Sequence, residues 1–182
     1  MILILVENYL NTLNFNGTVI LDMVHVVCVM KEIDYGLLEE RIGYKFNDKS
    51  LMNAALTHKT FAFEAGTPLE YSERLEFFGD SILGFVVAEQ LYRGNKYFSE
   101  GELTRRRSFQ VSNNFLADVA KRMELGQFLL LGKGEVKQNG SSNRTNLANL
   151  LEALIGAIYL DSDMNCVREV ILKTIFTKKF QF

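Results

Sequence analysis

The chain of 182 residues contains a single proline, Pro68, which leaves room for long, uninterrupted helices. Proline interrupts helices because it lacks a backbone N–H and its ring clashes with the preceding turn. The apolar residues recur at helical spacing, as Leu75, Ile82 and Val86 do. No segment of useful length alternates apolar and polar residues as a strand does. The sequence therefore predicts an all-α protein.

The same periodicity predicts where the helices lie. The first begins at Tyr35, and others are expected at 50–56, 70–92, 100–123, 147–160 and 167–176. Ser99 followed by Glu102 is a capping-box pattern, which predicts the start of the helix at 100–123. The segment 132–146 contains three Gly, two Ser and three Asn, and we expect it to form a polar loop.

The first 29 residues differ from the rest of the chain. They include two apolar runs, 1–6 and 19–30, each shorter than the ~18 apolar residues that a membrane span requires. No Lys or Arg precedes Lys31, so the basic residues of a secretory signal or a mitochondrial presequence are missing. We therefore expect an appendage of unassigned role at 1–29, one domain at 30–182, and no membrane partner.

Charge and cysteine content limit the partners and the compartment. The net charge is −2 at pH 7, so affinity for nucleic acid must come from a local basic patch or from bound metal ions. Cys28 and Cys166 show neither metal-type spacing nor a disulfide framework, which indicates a reducing, cytoplasmic compartment. Lys133, between two glycines, lacks the neighbours of a phosphate-binding loop, so no nucleotide cofactor is expected.

One part of the chain concentrates positive charge. The densest basic cluster consists of three consecutive arginines, Arg105, Arg106 and Arg107. They are candidates for contacts with nucleic-acid phosphates, and Lys133 and Arg144 can add to them. A solvated helix face, stabilised by pairs such as Glu102 with Arg106, explains the arginines equally well.

Three acidic residues share one face of the helix predicted at 70–92. Glu73, Glu76 and Asp80 stand at i, i+3 and i+7, within about 60° of one another around the helix. A solvated acidic face is one explanation. The other is a cation, because clustered carboxylates on an apolar helix raise one another's pKa unless a cation lies between them.

A second polar pair lies on the helix predicted at 147–160. Asn149 and Glu152 stand at i, i+3 among leucines and isoleucines. If the two helices pack face to face, the oxygens of Glu76, Asp80, Asn149 and Glu152 can surround one hard cation. Mg²⁺ or Mn²⁺ would be that cation.

The segment Glu73-Arg74-Leu75-Glu76-Phe77-Phe78-Gly79-Asp80-Ser81-Ile82-Leu83 resembles the signature of the ribonuclease III family. Four further segments resemble that family in the same order, at 55–59, 100–104, 130–135 and 152–161. The resemblance spans roughly residues 37–176. It implies an all-helical endonuclease domain that forms a homodimer and hydrolyses both strands of double-stranded RNA. The products would carry 5′-phosphate and 3′-hydroxyl ends with a short 3′ overhang.

The resemblance also implies roles for individual residues. Metal ligands are implied at Glu76, Asp80, Asn149 and Glu152, and Asp80 and Glu152 are implied to be catalytic. Glu73 and Glu100 correspond to accessory acids. Mg²⁺ is the implied cofactor, and Mn²⁺ can substitute. Asn149 occupies a position where the family has Asp, which leaves two hypotheses: an active enzyme with a higher Mg²⁺ requirement, or a weak or inactive protein that binds RNA or ribosomes.

The remaining implications concern partners and biology. Phe77 is the candidate for contact with the second subunit, whereas Phe78 lies on the apolar stripe. RNA processing, including that of ribosomal RNA, is the implied role. The separate RNA-binding domain that bacterial members carry has no room before Phe182, so we expect weak and salt-sensitive RNA binding.

Overall fold

A computed structural model describes residues 33–66 and 68–176, and the predicted appendage at 1–29 lies outside them. Helices form most of the described chain. They are α1 Tyr35–Ile42, α2 Lys49–Leu56, α3 Lys59–Glu64, α4 Glu73–Gly94, α5 Glu100–Gln110, α6 Asn113–Arg122, α7 Lys133–Lys137, α8 Arg144–Asp161 and α9 Met164–Ile175. Within these residues there is no strand, only an isolated bridge between Thr57 and Leu130. The all-α prediction is confirmed.

Helix α8 forms the centre of the domain. It is buried from Leu150 to Ile158 without interruption and packs against α4, α6 and α2. A helix that is apolar all round must be covered on every side, which explains why its neighbours surround it. Burial of this one helix therefore organises the core.

Helices α4 and α8 approach each other closely because two glycines lie at their contact. A Cβ atom added to Gly79 would overlap the backbone carbonyl oxygen of Glu152. One added to Gly156 would overlap the backbone carbonyl oxygen of Leu75. No larger residue fits at either position without moving the helices apart. This contact fixes which residues of α4 face which residues of α8.

The capping box predicted at Ser99 is present, but the single helix expected at 100–123 is wrong. The chain forms α5 and α6 instead, with a break at Ser112. The Ser112 hydroxyl donates a hydrogen bond to the Phe109 carbonyl oxygen (2.7 Å) and accepts one from the Phe115 N–H (3.3 Å). Serine thus ends one helix and caps the next, since its hydroxyl competes for backbone groups.

The expectation of a polar loop at 132–146 is also wrong. The segment contains α7 and a 3-10 turn at Gly140–Ser142. The Asn146 side-chain amide donates hydrogen bonds to the Glu135 carboxylate and to the Gly140 carbonyl oxygen, both at 3.1 Å. These bonds order a segment whose composition alone favours a loop.

Helix α4 begins at Glu73 rather than at residue 70, and α9 begins at Met164 rather than at residue 167. Helix α3 was not predicted. Among the described residues, no helix is both long enough and apolar enough to cross a membrane.

Candidate functional site

The contact between α4 and α8 brings the predicted ligands together. Glu76 and Asp80 flank Gly79 on α4, and Glu152 is the residue whose backbone Gly79 touches on α8. Asn149 lies one turn before Glu152, and its side chain is hydrogen-bonded to the Glu76 carboxylate. The side chains of Glu76, Asp80, Asn149 and Glu152 thus form one polar cluster within an otherwise apolar contact between two helices. We call this cluster the acidic site.

Glu152 has the most perturbed environment of this group. Glu152 is only 6% exposed. Burial, followed by the negative charges of Asp80 and Glu76, raises its pKa from 4.5 to about 8. Within residues 33–66 and 68–176, no cationic side chain is among the causes of that shift. In this part of the chain the buried carboxyl has no compensating positive charge, which a bound cation would supply.

Glu76 is half-buried, and several groups act on it. Burial and the negative charge of Glu73 raise its pKa. The ammonium of Lys59 and the hydrogen bond from the Asn149 amide oppose this rise. Because a carboxylate only accepts hydrogen bonds, the Asn149 amide is the donor, and it orients Glu76 within the site.

The site offers oxygen atoms, which a hard divalent cation prefers as ligands. Only three of its four polar side chains are acidic. Within residues 33–66 and 68–176, no three His, Cys, Asp or Glu side chains are already drawn together tightly enough to hold a metal. The fourth polar group here is an amide, and the carboxylates repel one another. A bound Mg²⁺ or Mn²⁺ would favour the ionised form of Glu152, because the cation offsets the negative charges that raise its pKa.

The two accessory acids lie in different surroundings. Glu73 adjoins the site and forms an exposed ion pair with Lys59 at 3.0 Å. Glu100 is the first residue of α5, and its carboxylate accepts a hydrogen bond from the Thr104 hydroxyl at 2.9 Å. The negative charge of Glu73 acts on the pKa of Glu76, so the structure associates Glu73 with the acidic site. The role of Glu100 as a second accessory acid stays a prediction.

The predicted basic residues also differ from one another. Arg105, Arg107 and Lys133 are exposed. Arg106 is partly buried, with its guanidinium 4.2 Å from the centre of the Phe98 ring. Arg144 forms an ion pair with Asp118 at 2.8 Å and joins the start of α8 to α6. Its charge is therefore partly compensated.

The two phenylalanines of the signature segment have opposite surroundings. Phe77 is 77% exposed and lies beside a groove of about 760 Å³ that Leu51, Ala54 and Leu160 also line. Phe78 is partly buried and packs edge-on against Tyr159, with ring centroids 5.3 Å apart. Phe77 thus presents a large apolar surface to solvent.

Sequence reasoning missed three residues that shape the site but are not candidate ligands of the cation. Gly79 and Gly156 allow the helices to meet, and Lys59 partly offsets the acidic charge. The signal for the glycines was present, because each is an isolated glycine inside an apolar helix, where close packing is the usual reason. The signal for Lys59 was absent, since its neighbour Glu73 is distant in sequence.

Comparison with known proteins gives consistent matches. A family model described as Ribonuclease-III-like matches residues 48–179. Ribonuclease 3 of Vibrio atlanticus (strain LGP32) is 46% identical over 135 residues, which are 74% of this chain and 57% of that protein. Ribonuclease 3 of Buchnera aphidicola subsp. Schizaphis graminum (strain Sg) is 43% identical over 144 residues, 79% of this chain and 61% of that protein. The chain thus spans about three-fifths of these relatives.

Solved structures also match. The crystal structure of the nuclease domain of ribonuclease III from Campylobacter jejuni aligns with a TM-score of 0.75 and 34% identity. The alignment covers 82% of this chain and 98% of that domain. A second structure of the same nuclease domain, whose description concerns structural flexibility in a region involved in dimer formation, has a TM-score of 0.71 and 35% identity. It covers 76% of this chain and 94% of that one.

Proposed function

Because this chain belongs to the ribonuclease-III-like family, we propose that it is an endoribonuclease that hydrolyses both strands of double-stranded RNA. The membership confirms the resemblance seen at residues 73–83. The observation that carries the proposal is the acidic site, in which the buried Glu152 lies beside Asp80 and Glu76. The products we propose have 5′-phosphate and 3′-hydroxyl ends and a short 3′ overhang.

The acidic site supplies the groups that such a reaction needs. Glu76, Asp80 and Glu152, with the carbonyl oxygen of Asn149, would hold Mg²⁺ or Mn²⁺. Bound there, the ion supplies a Lewis acid that lowers the pKa of a water and offsets charge on the phosphate. Glu152 must be ionised to act as a ligand, and its apolar surroundings strengthen every charge interaction at that point.

The amide of Asn149 distinguishes this site from one with a fourth carboxylate. It opposes the rise in the pKa of Glu76 and adds no charge of its own. A site with one negative charge fewer binds a divalent cation more weakly. We therefore infer an active enzyme with an increased Mg²⁺ requirement. The alternative function is RNA or ribosome binding without cleavage, and Asn149 is the observation that favours it.

We propose that Phe77 joins two copies of the chain. Its exposed ring and the adjacent groove would give each copy one projecting side chain and one recess, as a two-fold symmetric interface requires. The Campylobacter nuclease domain, whose description names a region involved in dimer formation, supports a homodimer. Two acidic sites at a fixed separation would then cut the two strands with a stagger.

Double-stranded RNA offers mainly phosphates and 2′-hydroxyls to a protein. The exposed Arg105, Arg107 and Lys133 are the cations we assign to those phosphates, with a smaller contribution from Arg106 and Arg144. The inferred setting is RNA processing in the cytoplasm, ribosomal precursors included.

Cleavage of an end-labelled RNA duplex tests this proposal. The purified chain is incubated with duplex and increasing Mg²⁺, with EDTA as a blank. We expect paired, staggered cuts that depend on the metal and disappear in Glu152→Ala. The matched control is Glu169→Ala, because Glu169 is an exposed helical glutamate on α9 and should be dispensable. Duplex binding without cleavage, even with Mn²⁺, would refute the nuclease and support the alternative.

A further inference from the structure

Lys59 is a cationic side chain beside the acidic site to which the proposed function gives no role. Its ammonium lies 3.0 Å from the carboxylate of Glu73, the first residue of α4. Glu76 follows Glu73 by three residues, which is about 4.5 Å along the helix axis. Lys59 therefore lies at the end of α4 where the acidic face of that helix begins.

Backbone contacts fix the start of α3, and with it Lys59, relative to α4. The carbonyl oxygen of Thr57 accepts a hydrogen bond from the Ser72 N–H at 3.0 Å. The His58 N–H donates to the carbonyl oxygen of Leu130, also at 3.0 Å, and the His58 ring caps α3. The backbone of this segment is thus held against the residue that precedes α4, whereas the side chain of Lys59 stays half-exposed.

The ion pair between Lys59 and Glu73 can exchange partners readily. About half of each side chain is exposed to solvent. Exposed ion pairs stabilise a protein little, because both charges remain hydrated and salt screens them. The pKa of Lys59 is raised by its hydrogen bond to Glu73 and by the charges of Glu73 and Glu76, so the ammonium stays charged at neutral pH. A phosphate can therefore replace the Glu73 carboxylate at small cost.

The acidic charge of the site requires a cation where RNA approaches it. Glu76, Asp80 and Glu152 carry one more negative charge, when ionised, than a divalent cation supplies, and Glu73 adds another. These carboxylates repel the phosphates of RNA. Burial and the charge of Glu73 raise the pKa of Glu76, and the ammonium of Lys59 is the largest effect that opposes this rise. The positive charge of Lys59 thus already acts on the acidic site.

We propose that Lys59 binds the RNA phosphate next to the one that is cleaved. On binding, the ammonium would exchange the Glu73 carboxylate for a non-bridging phosphate oxygen and hold the strand against the acidic site. A phosphate contact positions the RNA and carries no sequence information, because every nucleotide has the same phosphate. This inference rests on the proposed function.

Binding of a fluorescently labelled RNA duplex in EDTA tests the inference without cleavage. The full chain and Lys59→Met are each titrated with the duplex at several salt concentrations. We expect Lys59→Met to bind roughly three- to tenfold more weakly than the wild type. The slope of log affinity against log salt concentration should fall by about 1 for each Lys59 removed from the complex. Equal affinity and equal slope in the two proteins would overturn the inference.

Two further variants connect the effect to the charge of Lys59. Lys59→Arg keeps the positive charge and should bind the duplex within about twofold of the wild type. Lys173→Met is the matched control, because Lys173 is also exposed and forms an ion pair, with Glu169 at 3.3 Å on α9. It should bind with the affinity and the salt slope of the wild type. A loss in Lys173→Met as large as that in Lys59→Met would contradict a contact specific to Lys59.

Mn²⁺ binding separates a contact with RNA from a role in building the acidic site. Removal of a positive charge beside the site should leave the Mn²⁺ affinity of Lys59→Met unchanged or higher. A lower Mn²⁺ affinity would show that Lys59 supports the site itself, which contradicts the inference.

Cleavage with Mg²⁺ separates the inference from the proposed function. If the wild type cleaves the duplex, Lys59→Met should raise KM and change kcat less than about twofold, because the contact holds the substrate before and during the reaction. A loss confined to kcat would contradict the inference. If the wild type binds the duplex without cleavage, the proposed function fails, and the binding comparison still decides the role of Lys59. A wild type that neither binds nor cleaves the duplex overturns both.

Discussion

The substitution Glu152→Gln should make the metal-free protein more stable at alkaline pH. Burial and neighbouring acids raise the pKa of Glu152 to about 8, against 4.5 in the unfolded chain. Between these values the folded protein binds more protons than the unfolded one, so the free energy of unfolding decreases as pH rises. The decrease begins near the unfolded pKa and is complete above the folded pKa. Glutamine does not ionise, so this decrease in the free energy of unfolding should be absent in Glu152→Gln.

The size of the effect follows from the pKa shift. Each pKa unit corresponds to about 1.4 kcal/mol, so the shift of Glu152 sets a ceiling of about 5 kcal/mol. Local rearrangement and water penetration reduce it, and we expect Glu152→Gln to exceed the wild type by about 2–3 kcal/mol near pH 9. Near pH 4, where the wild-type carboxyl is protonated in both states, the two proteins should agree within about 0.5 kcal/mol.

Urea unfolding in EDTA across this pH range measures the difference directly. Glu40→Gln is the matched control, because Glu40 is an exposed glutamate on α1 and its substitution should change stability little at any pH. Added Mg²⁺ should stabilise the wild type and leave Glu152→Gln nearly unchanged, since only the charged site binds the ion. A variant no more stable than the wild type near pH 9 would show that ionised Glu152 does not destabilise the folded protein.

Three further predictions concern the fold, the metal and the dimer. Gly79→Ala should destabilise the protein by about 3 kcal/mol in urea unfolding, because the added Cβ overlaps the α8 backbone. Gly84→Ala on the same helix is the control. Its added Cβ meets open space, so it should be neutral or stabilising by up to about 1 kcal/mol. Asn149→Asp should lower the Mg²⁺ concentration for half-maximal cleavage, and an unchanged concentration would eliminate the weakened-ligand hypothesis. Phe77→Asp should yield monomers in light scattering with an unchanged far-ultraviolet circular dichroism spectrum, since the residue is exposed in the single chain; a dimer that persists would contradict the assigned interface.

Sequence periodicity predicted the helices well wherever local residues decide the outcome. The register of Glu76 and Asp80 on α4, and of Asn149 and Glu152 on α8, follows from helical geometry alone. The capping box at Ser99 is equally local. These features needed no knowledge of the tertiary structure.

Features that depend on which of several possible partners a group contacts could not be predicted in this way. The contact at Gly79 pairs two segments about 75 residues apart, and periodicity does not reveal which helices meet. The break at Ser112 depends on whether a hydroxyl bonds to local backbone or leaves the helix intact, and both are compatible with the sequence. The ordered structure of 132–146 depends on the hydrogen bond from the Asn146 amide to the Glu135 carboxylate. Amino-acid composition does not reveal this contact.

We propose that Glu76, Asp80, Asn149 and Glu152 hold a divalent cation. Electron paramagnetic resonance of free Mn²⁺, titrated into the wild type, Glu152→Gln and Glu40→Gln, measures this binding without RNA. We predict saturable binding by the wild type and by Glu40→Gln, and at least a tenfold loss of affinity in Glu152→Gln, since a ligand and its charge are both removed. Equal Mn²⁺ binding by all three proteins would contradict the claim.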